Sequence, residues 1–312
     1  MFEQVHGLGF RTARIECGRG STPRFLAGMP KLAGQIAELA ARVQPRLVYV
    51  NGPRLLPAAA LARLQAPVLF HAHIRIASIP QRWLAGAAVG ALNASVVAVS
   101  ESVAAAWRPF GQVAVVHNAV AGPARPRSER PDGPPRIGCI GRISPEKGQR
   151  EFLEVARRIL REIPDARFFV YGAPLFGDAA AGRYEDEVRA EAEDLPVEFP
   201  GWVDDVYDAL TNLDLLLVPS VWPEPAGLVI LEAFAAGVPV IAFRVGGIPE
   251  FLDQLAGNAA EMATMAVRIL SDPDRYRALA EAGREAWRTR FHPRRYHREI
   301  AELILRAAGG SR

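Results

Sequence analysis

Short runs of β-branched and aliphatic residues alternate with amphipathic stretches along most of the chain. This alternation predicts parallel sheets covered by helices on both faces, because every parallel crossover needs a connection of about helix length. In the first 120 residues the predicted strands are RTARIEC, RLVYV, PVLFHA, SVVAV and VAVVH, with helical periodicity near 25–43, 57–65, 81–93 and 102–109. Residues 121–135, AGPARPRSERPDGPP, carry five prolines, alternating charge and no apolar period, and predict an exposed linker. The pattern then restarts with strands RIGCIG, ARFFVYG, VEFPG, LDLLLVPS and PVIAF, separated by helices near 149–162, 183–194, 204–212 and 226–236. From Ile248 the chain is predicted helical to its end, with Pro293 breaking the last long pattern. The expected architecture is α/β: two doubly wound domains over 1–125 and 126–290, and a terminal helix over 291–312 that packs back toward the first domain.

Composition narrows the setting. Of 312 residues, 50% are hydrophobic and 23% charged, ordinary globular material for two domains. Cys17 and Cys139 stand far apart and outside any metal-ligand spacing, which speaks against a disulfide framework or a structural zinc and for a reducing, cytoplasmic setting. The N-terminus is interrupted by charge every few residues, unlike a secretory signal. The longest uncharged stretch, Leu84 to Ser100, reads as a helix end followed by a strand and not as a membrane span. Charge is uneven: residues 1–120 carry 12 Arg/Lys against 4 acids, and residues 121–312 carry 25 against 30. Either the first half meets an anionic partner, such as a phospholipid surface or a lipid-linked phosphate, or the chain simply favours Arg. Lys31 and Lys147 are its only lysines among 35 arginines, which singles out Lys147.

Two segments point to chemistry. In PEPAGLVILEAFAAGVPVIAF the only charged side chain between Pro225 and Phe243 is Glu232, and a lone carboxylate in so apolar a helix demands partners. Ligand hydroxyls suit it, since a carboxylate only accepts. Glu224 precedes the same helix, beside the amides of Ala226, Gly227 and Leu228, which favour an anion. The structural alternative leaves Glu224 near a helix terminus and pairs Glu232 with an Arg. In GCIGRISPEKGQ a predicted strand ends at Gly141 and leads through Arg142 and Lys147 into a helix. Ligands of doubly wound domains sit at that edge, and two cations there suit a diphosphate; a solvated turn is the alternative.

The segments GRISPEKG, GWVDD, LDLLLVPS, EPAGLVILEAFAAGVPV and GGIPE, in order over 136–250, resemble glycosyltransferase family 4. The resemblance implies a GT-B fold, two Rossmann-like domains facing a central cleft, and retaining transfer from an NDP-sugar. It assigns the diphosphate to Arg142 and Lys147 beside Gly141, the transferred sugar to Glu224, and the ribose to Glu232. The backbone of Ala226, Gly227 and Leu228 would cradle sugar and distal phosphate, with Gly201 and Val203 near the base. PVLFHAH resembles the family strand whose final His faces the reaction centre, which makes His73 the fourth catalytic candidate with Arg142, Lys147 and Glu224; His71 lies on the same strand face. No Asp-x-Asp donor-metal motif accompanies these residues, so neither metal nor cofactor is expected. Nor is a nucleic-acid partner.

Two departures from the family stand out. EFLDQLAGN runs almost directly into EMATMAVRIL, where the family has a longer glycine-rich loop. Met1 to Gly9 offers no buried strand, so the first domain is expected to lack its first strand. The implied role is cell-envelope polysaccharide or glycoconjugate synthesis, with a lipid-linked or anionic acceptor and peripheral contact at the inner membrane face. The alternative is a nucleotide-sugar-binding partner subunit without transfer activity.

Overall fold

The computed structural model describes residues 12–13, 15, 22–124, 133–174 and 179–309. The expectations for Met1 to Gly9, most of RTARIEC, Cys17 and the middle of the linker lie outside them. The chain divides into two compact units: one takes in the chain to Ala98, Val103–Val115 and the residues from Ala301, the other Val99–Ser102 and Val116–Ile300.

In the first unit β1 (Val48–Asn51), β2 (Val68–Ala72), β3 (Ser95–Ala98) and β4 (Val113–Val115) form one parallel sheet in sequence order. Every position of β2 is buried, as an interior parallel strand between covering helices requires. The covering helices are α1 (Thr22–Val43), α2 (Leu56–Leu61), α3 (Ile79–Ala91) and α4 (Glu101–Trp107). Trp107 is wholly buried and meets Phe70 of β2 edge to face, with centroids 4.7 Å apart. Burying such side chains contributes about 1.5–3 kcal/mol each.

The second unit holds β5 (Arg136–Ile140), β6 (Arg167–Tyr171), β7 (Val197–Gly201), β8 (Leu215–Val218), β9 (Val240–Phe243) and β10 (Leu255–Ala256). All pair in parallel, in the order β10-β9-β8-β5-β6-β7. Succession therefore reverses between β5 and β8, the switch point at which such sheets open a crevice at their carboxyl edge. Helix α5 (Gln149–Ile159) buries Phe152, Leu153, Val155, Ala156 and Ile159, the stripe its 3.6-residue period dictates. Helices α6 (Ala179–Glu191) and α7 (Val206–Leu210) follow, and then α8 (Leu228–Ala236), which is apolar except for Glu232. Cys139 is buried in this core with a free thiol that burial pushes up to about 12.

One expectation is corrected. The chain after Ile248 is not helical throughout: Leu255 and Ala256 pair with Ala242 and Phe243 as a sixth strand. Two residues are too few to show a period of two, and the pairing is set by the sheet edge that β9 offers. Helices α9 (Ala259–Leu270) and α10 (Pro273–Ala286) follow, and a π-helical turn over Trp287–Phe291 turns Phe291 into the core. Pro293 opens the final helix, α11 (Pro293–Ala307). Among the described residues, no helix is long and apolar enough to cross a membrane.

Candidate functional site

β5 delivers the loop that carries Arg142 and Lys147, and β8 delivers the loop that carries Ser220 and Glu224, so the switch point lies between them. The first loop ends at Gly148 with φ 73°, and a Cβ there would lie 1.9 Å from the carbonyl oxygen of Pro219. Only glycine lets the two loops lie this close. Val221 N–H donates to the carbonyl of Glu146 at 3.0 Å and completes the tie. Gln149, wholly buried, holds the loop from below: its amide nitrogen donates to the carbonyl of Arg142 at 2.9 Å, and its amide oxygen accepts from Ser144 N–H at 3.3 Å.

The loops meet in a charge pair. Lys147 Nζ donates to Oε1 of Glu224, and Ser220 Oγ donates to the same oxygen at 3.0 Å. The Glu224 side chain is only 13% exposed, a depth at which an uncompensated carboxylate would be costly. Its backbone is fixed too: Gly247 N–H donates to the Glu224 carbonyl at 2.7 Å, and at Gly246, φ 58°, a Cβ would stand 2.3 Å from that carbonyl oxygen. Arg142 lies alongside, its Nη2 4.0 Å from Glu146 and its Nε buried without a partner among the described residues.

Glu232 is the contrast. It has no hydrogen-bond or ion-pair partner among the described residues. Burial pushes its carboxyl above the usual range, and the like charge of Asp205 pushes it further. Asp205 caps α7 by accepting from Tyr207 N–H at 2.9 Å. Burial, Glu232 and Asp205 together raise the Tyr207 phenol, whose hydroxyl donates to the carbonyl of Ala121. The Arg partner that the sequence allows for Glu232 is therefore not found among the described residues.

The structure thus brings Gly141, Arg142, Lys147 and Glu224 to one edge of the sheet. Ala226, Gly227 and Leu228 lead from Glu224 into α8; Gly227 has φ 51°, and a Cβ there would stand 2.9 Å from Ile230 Cδ1. Val203, two residues before Asp205, leaves β7. His73 stands in the first unit, just past β2. Sequence reasoning missed Gln149, Ser220 and Glu250. Glu250 accepts from the amides of Glu101 at 2.7 Å and Ser102 at 2.9 Å, and its carboxylate stands 3.2 Å from His117 Nε2. Ser220 could have been found, since a serine closing an apolar strand at a ligand-binding edge is a signal; nothing in QREFLEVARRI marks Gln149.

A doubly wound domain with cations and carboxylates gathered at its switch point belongs to the Rossmann-like class of α/β folds, which hold ligands at that edge. Residues 134–285 match the family model described as glycosyl transferases group 1. The chain is 32% identical over 169 residues to the GDP-mannose-dependent monoacylated alpha-(1-6)-phosphatidylinositol monomannoside mannosyltransferase of Corynebacterium glutamicum, covering 49% of this chain and 42% of the relative. It is 35% identical over 164 residues to the 2-deoxystreptamine glucosyltransferase of Streptomyces kanamyceticus, covering 49% and 41%. The chain thus spans under half the length of these relatives. A solved glycosyltransferase from Rickettsia africae matches with a TM-score of 0.80 at 18% identity, over 99% of this chain and 88% of its own. Anabaena HepE, solved with UDP and glucose, matches with 0.76 at 22%, over 89% and 82%. These likenesses show the fold: two parallel-sheet Rossmann-like domains of the GT-B kind.

The unpartnered Glu232 yields a stability test. Its folded-state pKa is raised, so the ionised side chain works against the fold above that value, and the penalty vanishes below the ordinary carboxylate range. Glu232→Gln is expected to raise the Tm of the ligand-free protein at about pH 7.5, by an amount that shrinks as pH falls through the raised pKa. Thermal melts across pH measure this, and a variant less stable than the parent at neutral pH contradicts it.

Proposed function

We propose that this chain is a retaining glycosyltransferase that takes a sugar from an NDP-sugar held in the second unit and passes it to an acceptor hydroxyl. The observation that carries the reading is the Lys147–Glu224–Ser220 cluster at the switch point, beside the unpartnered Arg142 Nε and Glu232. Breaking the anomeric C–O bond leaves negative charge on the departing diphosphate. Arg142, Lys147 and the amides from Ala226 to Leu228 stand ready to stabilise it as it develops. Glu232 accepts from ribose hydroxyls, Glu224 from the sugar, Val203 lies toward the base, and His73 serves the acceptor side. Retention of configuration follows from the family. The Corynebacterium glutamicum relative, which is GDP-mannose-dependent, supports the donor class.

A screen of UDP-, GDP-, ADP- and dTDP-sugars by thermal shift identifies the donor, since a ligand at 100 times its Kd stabilises by about 2.7 kcal/mol. Donor stabilisation without release of nucleoside diphosphate on any acceptor would assign the chain to sugar-nucleotide binding alone. Lys147→Ala and Arg142→Ala are expected to cut kcat more than donor affinity, because the diphosphate gains charge in the transition state. Lys147→Arg restores activity only in part, the guanidinium differing in shape and hydration. An unchanged kcat in both alanine variants refutes the leaving-group role.

The acceptor is lipid-linked or otherwise anionic, met by the first unit at the cytoplasmic face of a membrane in envelope glycoconjugate synthesis. Two observations support this. Residues 39–100 contain six Arg and no Asp or Glu. Within Ile74–Leu84, moreover, Ile74, Ile79, Trp83 and Leu84 are all exposed, Trp83 by 59%, with Arg75 exposed among them. Apolar side chains ringed by cations suit the headgroup region of an anionic bilayer. The protein is expected to sediment with phosphatidylglycerol vesicles, less so as salt rises, and not with phosphatidylcholine vesicles. Trp83→Ser combined with Leu84→Ser should weaken this by roughly tenfold or more. Equal sedimentation with both vesicle types, or no loss in the double variant, argues against it.

A further inference from the structure

Apart from the sugar-nucleotide site, the first unit contains a cluster of titratable side chains of its own. β1 and β2 pair in parallel with Tyr49 opposite Leu69 and Asn51 opposite His71. The Tyr49 hydroxyl is hydrogen-bonded to Nδ1 of His71, and the two rings meet edge to face with centroids 5.8 Å apart. His71 is 1% exposed, on a strand whose every other residue is apolar. His73 lies two residues further along the chain, its ring tilted 38° against that of His71 with centroids 3.9 Å apart. Nε2 of each histidine is buried without a partner among the described residues.

A histidine kept only for packing would be unusual here. An aliphatic side chain would fill the same volume and leave no ring nitrogen unpartnered. Burial, with His73 as a second cause, lowers His71 to about 3, and burial also lowers His73. Near neutral pH both rings are therefore held uncharged. A neutral imidazole has one donor and one acceptor nitrogen, and which is which is fixed by the bond that the other nitrogen makes. For His71 that bond comes from Tyr49. His71 in turn places one ring face against His73, so its own orientation restricts how His73 can turn.

We propose that Tyr49 and His71 are positioning residues for His73: Tyr49 anchors the His71 ring, and the face of that ring holds the His73 ring in one orientation at the carboxyl end of β2, toward an acceptor hydroxyl. This rests on the glycosyltransferase reading for the identity of the hydroxyl, while the ring anchoring stands apart from it. Imidazole ring-proton NMR on the full chain, with His73→Gln to assign the signals, tests the anchoring without any substrate. In the parent, the His73 ring protons should carry the ring-current shift of a ring held over the face of His71. Tyr49→Phe keeps the aromatic ring of Tyr49 and removes only its hydroxyl, and should move the His73 signals toward those of a freely turning ring. In the transfer assay the same variant should lose about tenfold in kcat, with the donor Kd unchanged. His71→Phe, which keeps a ring but no nitrogen, is the second variant should the first fail to fold, and the same changes are expected of it. His73 signals that stay put overturn the proposal, as does a kcat that stays at the parental value while the signals move. A parent that binds no NDP-sugar and releases no nucleoside diphosphate would instead overturn the glycosyltransferase reading, and the NMR result would still decide the anchoring.

Discussion

Lys147 and Glu224 neutralise one another across the point where the second sheet reverses its order of succession. The carboxylate lies too deep to stand alone, so the lysine, Ser220 and the backbone around Gly246 and Gly247 converge on it. That convergence is possible only because the loops after β5 and β8 are pressed together, which in turn requires glycine at Gly148 and the buried amide of Gln149 beneath the loop. The charge pair and the loop packing therefore depend on each other. Removing one partner would leave a partly buried charge, a more damaging change than removing both.

The rest of the site is polar demand that the protein does not itself meet. Among the described residues Arg142 keeps a buried Nε without a partner, and Glu232 has the like charge of Asp205 beside it and no countercharge. Such groups cost stability in the free protein and gain most when a ligand supplies what is missing. In the proposed function a molecule with an anionic middle and hydroxyl-bearing ends meets these needs, since both cations stand on the loop after β5 and Glu232, in α8, lies near the Asp205 cap that follows β7.

Much of this was legible in the sequence for definite reasons. Buried parallel strands are continuous apolar runs, so LLLV and VIAF declare themselves, and the helix QREFLEVARRI shows its buried stripe by spacing alone. Glu232 could be singled out because nothing else near it is charged. What escaped has equally definite causes. Leu255–Ala256 is too short to carry a period and exists because β9 offers an edge. Gln149 and Glu250 look like any surface polar residue until the fold buries the first and sets the second against the amides of Glu101 and Ser102, and the pairing of Tyr49 with His71 depends on a register between strands separated by an entire helical crossover. Contacts between distant segments leave no local trace.

In the proposed function Lys147, held by Glu224 in the free protein, is released to a diphosphate when the donor binds. Calorimetry of Glu224→Gln with the nucleoside diphosphate of the preferred donor tests this most directly. With the carboxylate gone, Lys147 no longer has to leave a charged partner, and the diphosphate no longer approaches a negative charge. The account predicts that the variant binds the nucleoside diphosphate more tightly than the parent, by on the order of tenfold, while the sugar-bearing donor gains less because its sugar loses an acceptor. Weaker binding of the nucleoside diphosphate by the variant would contradict the account.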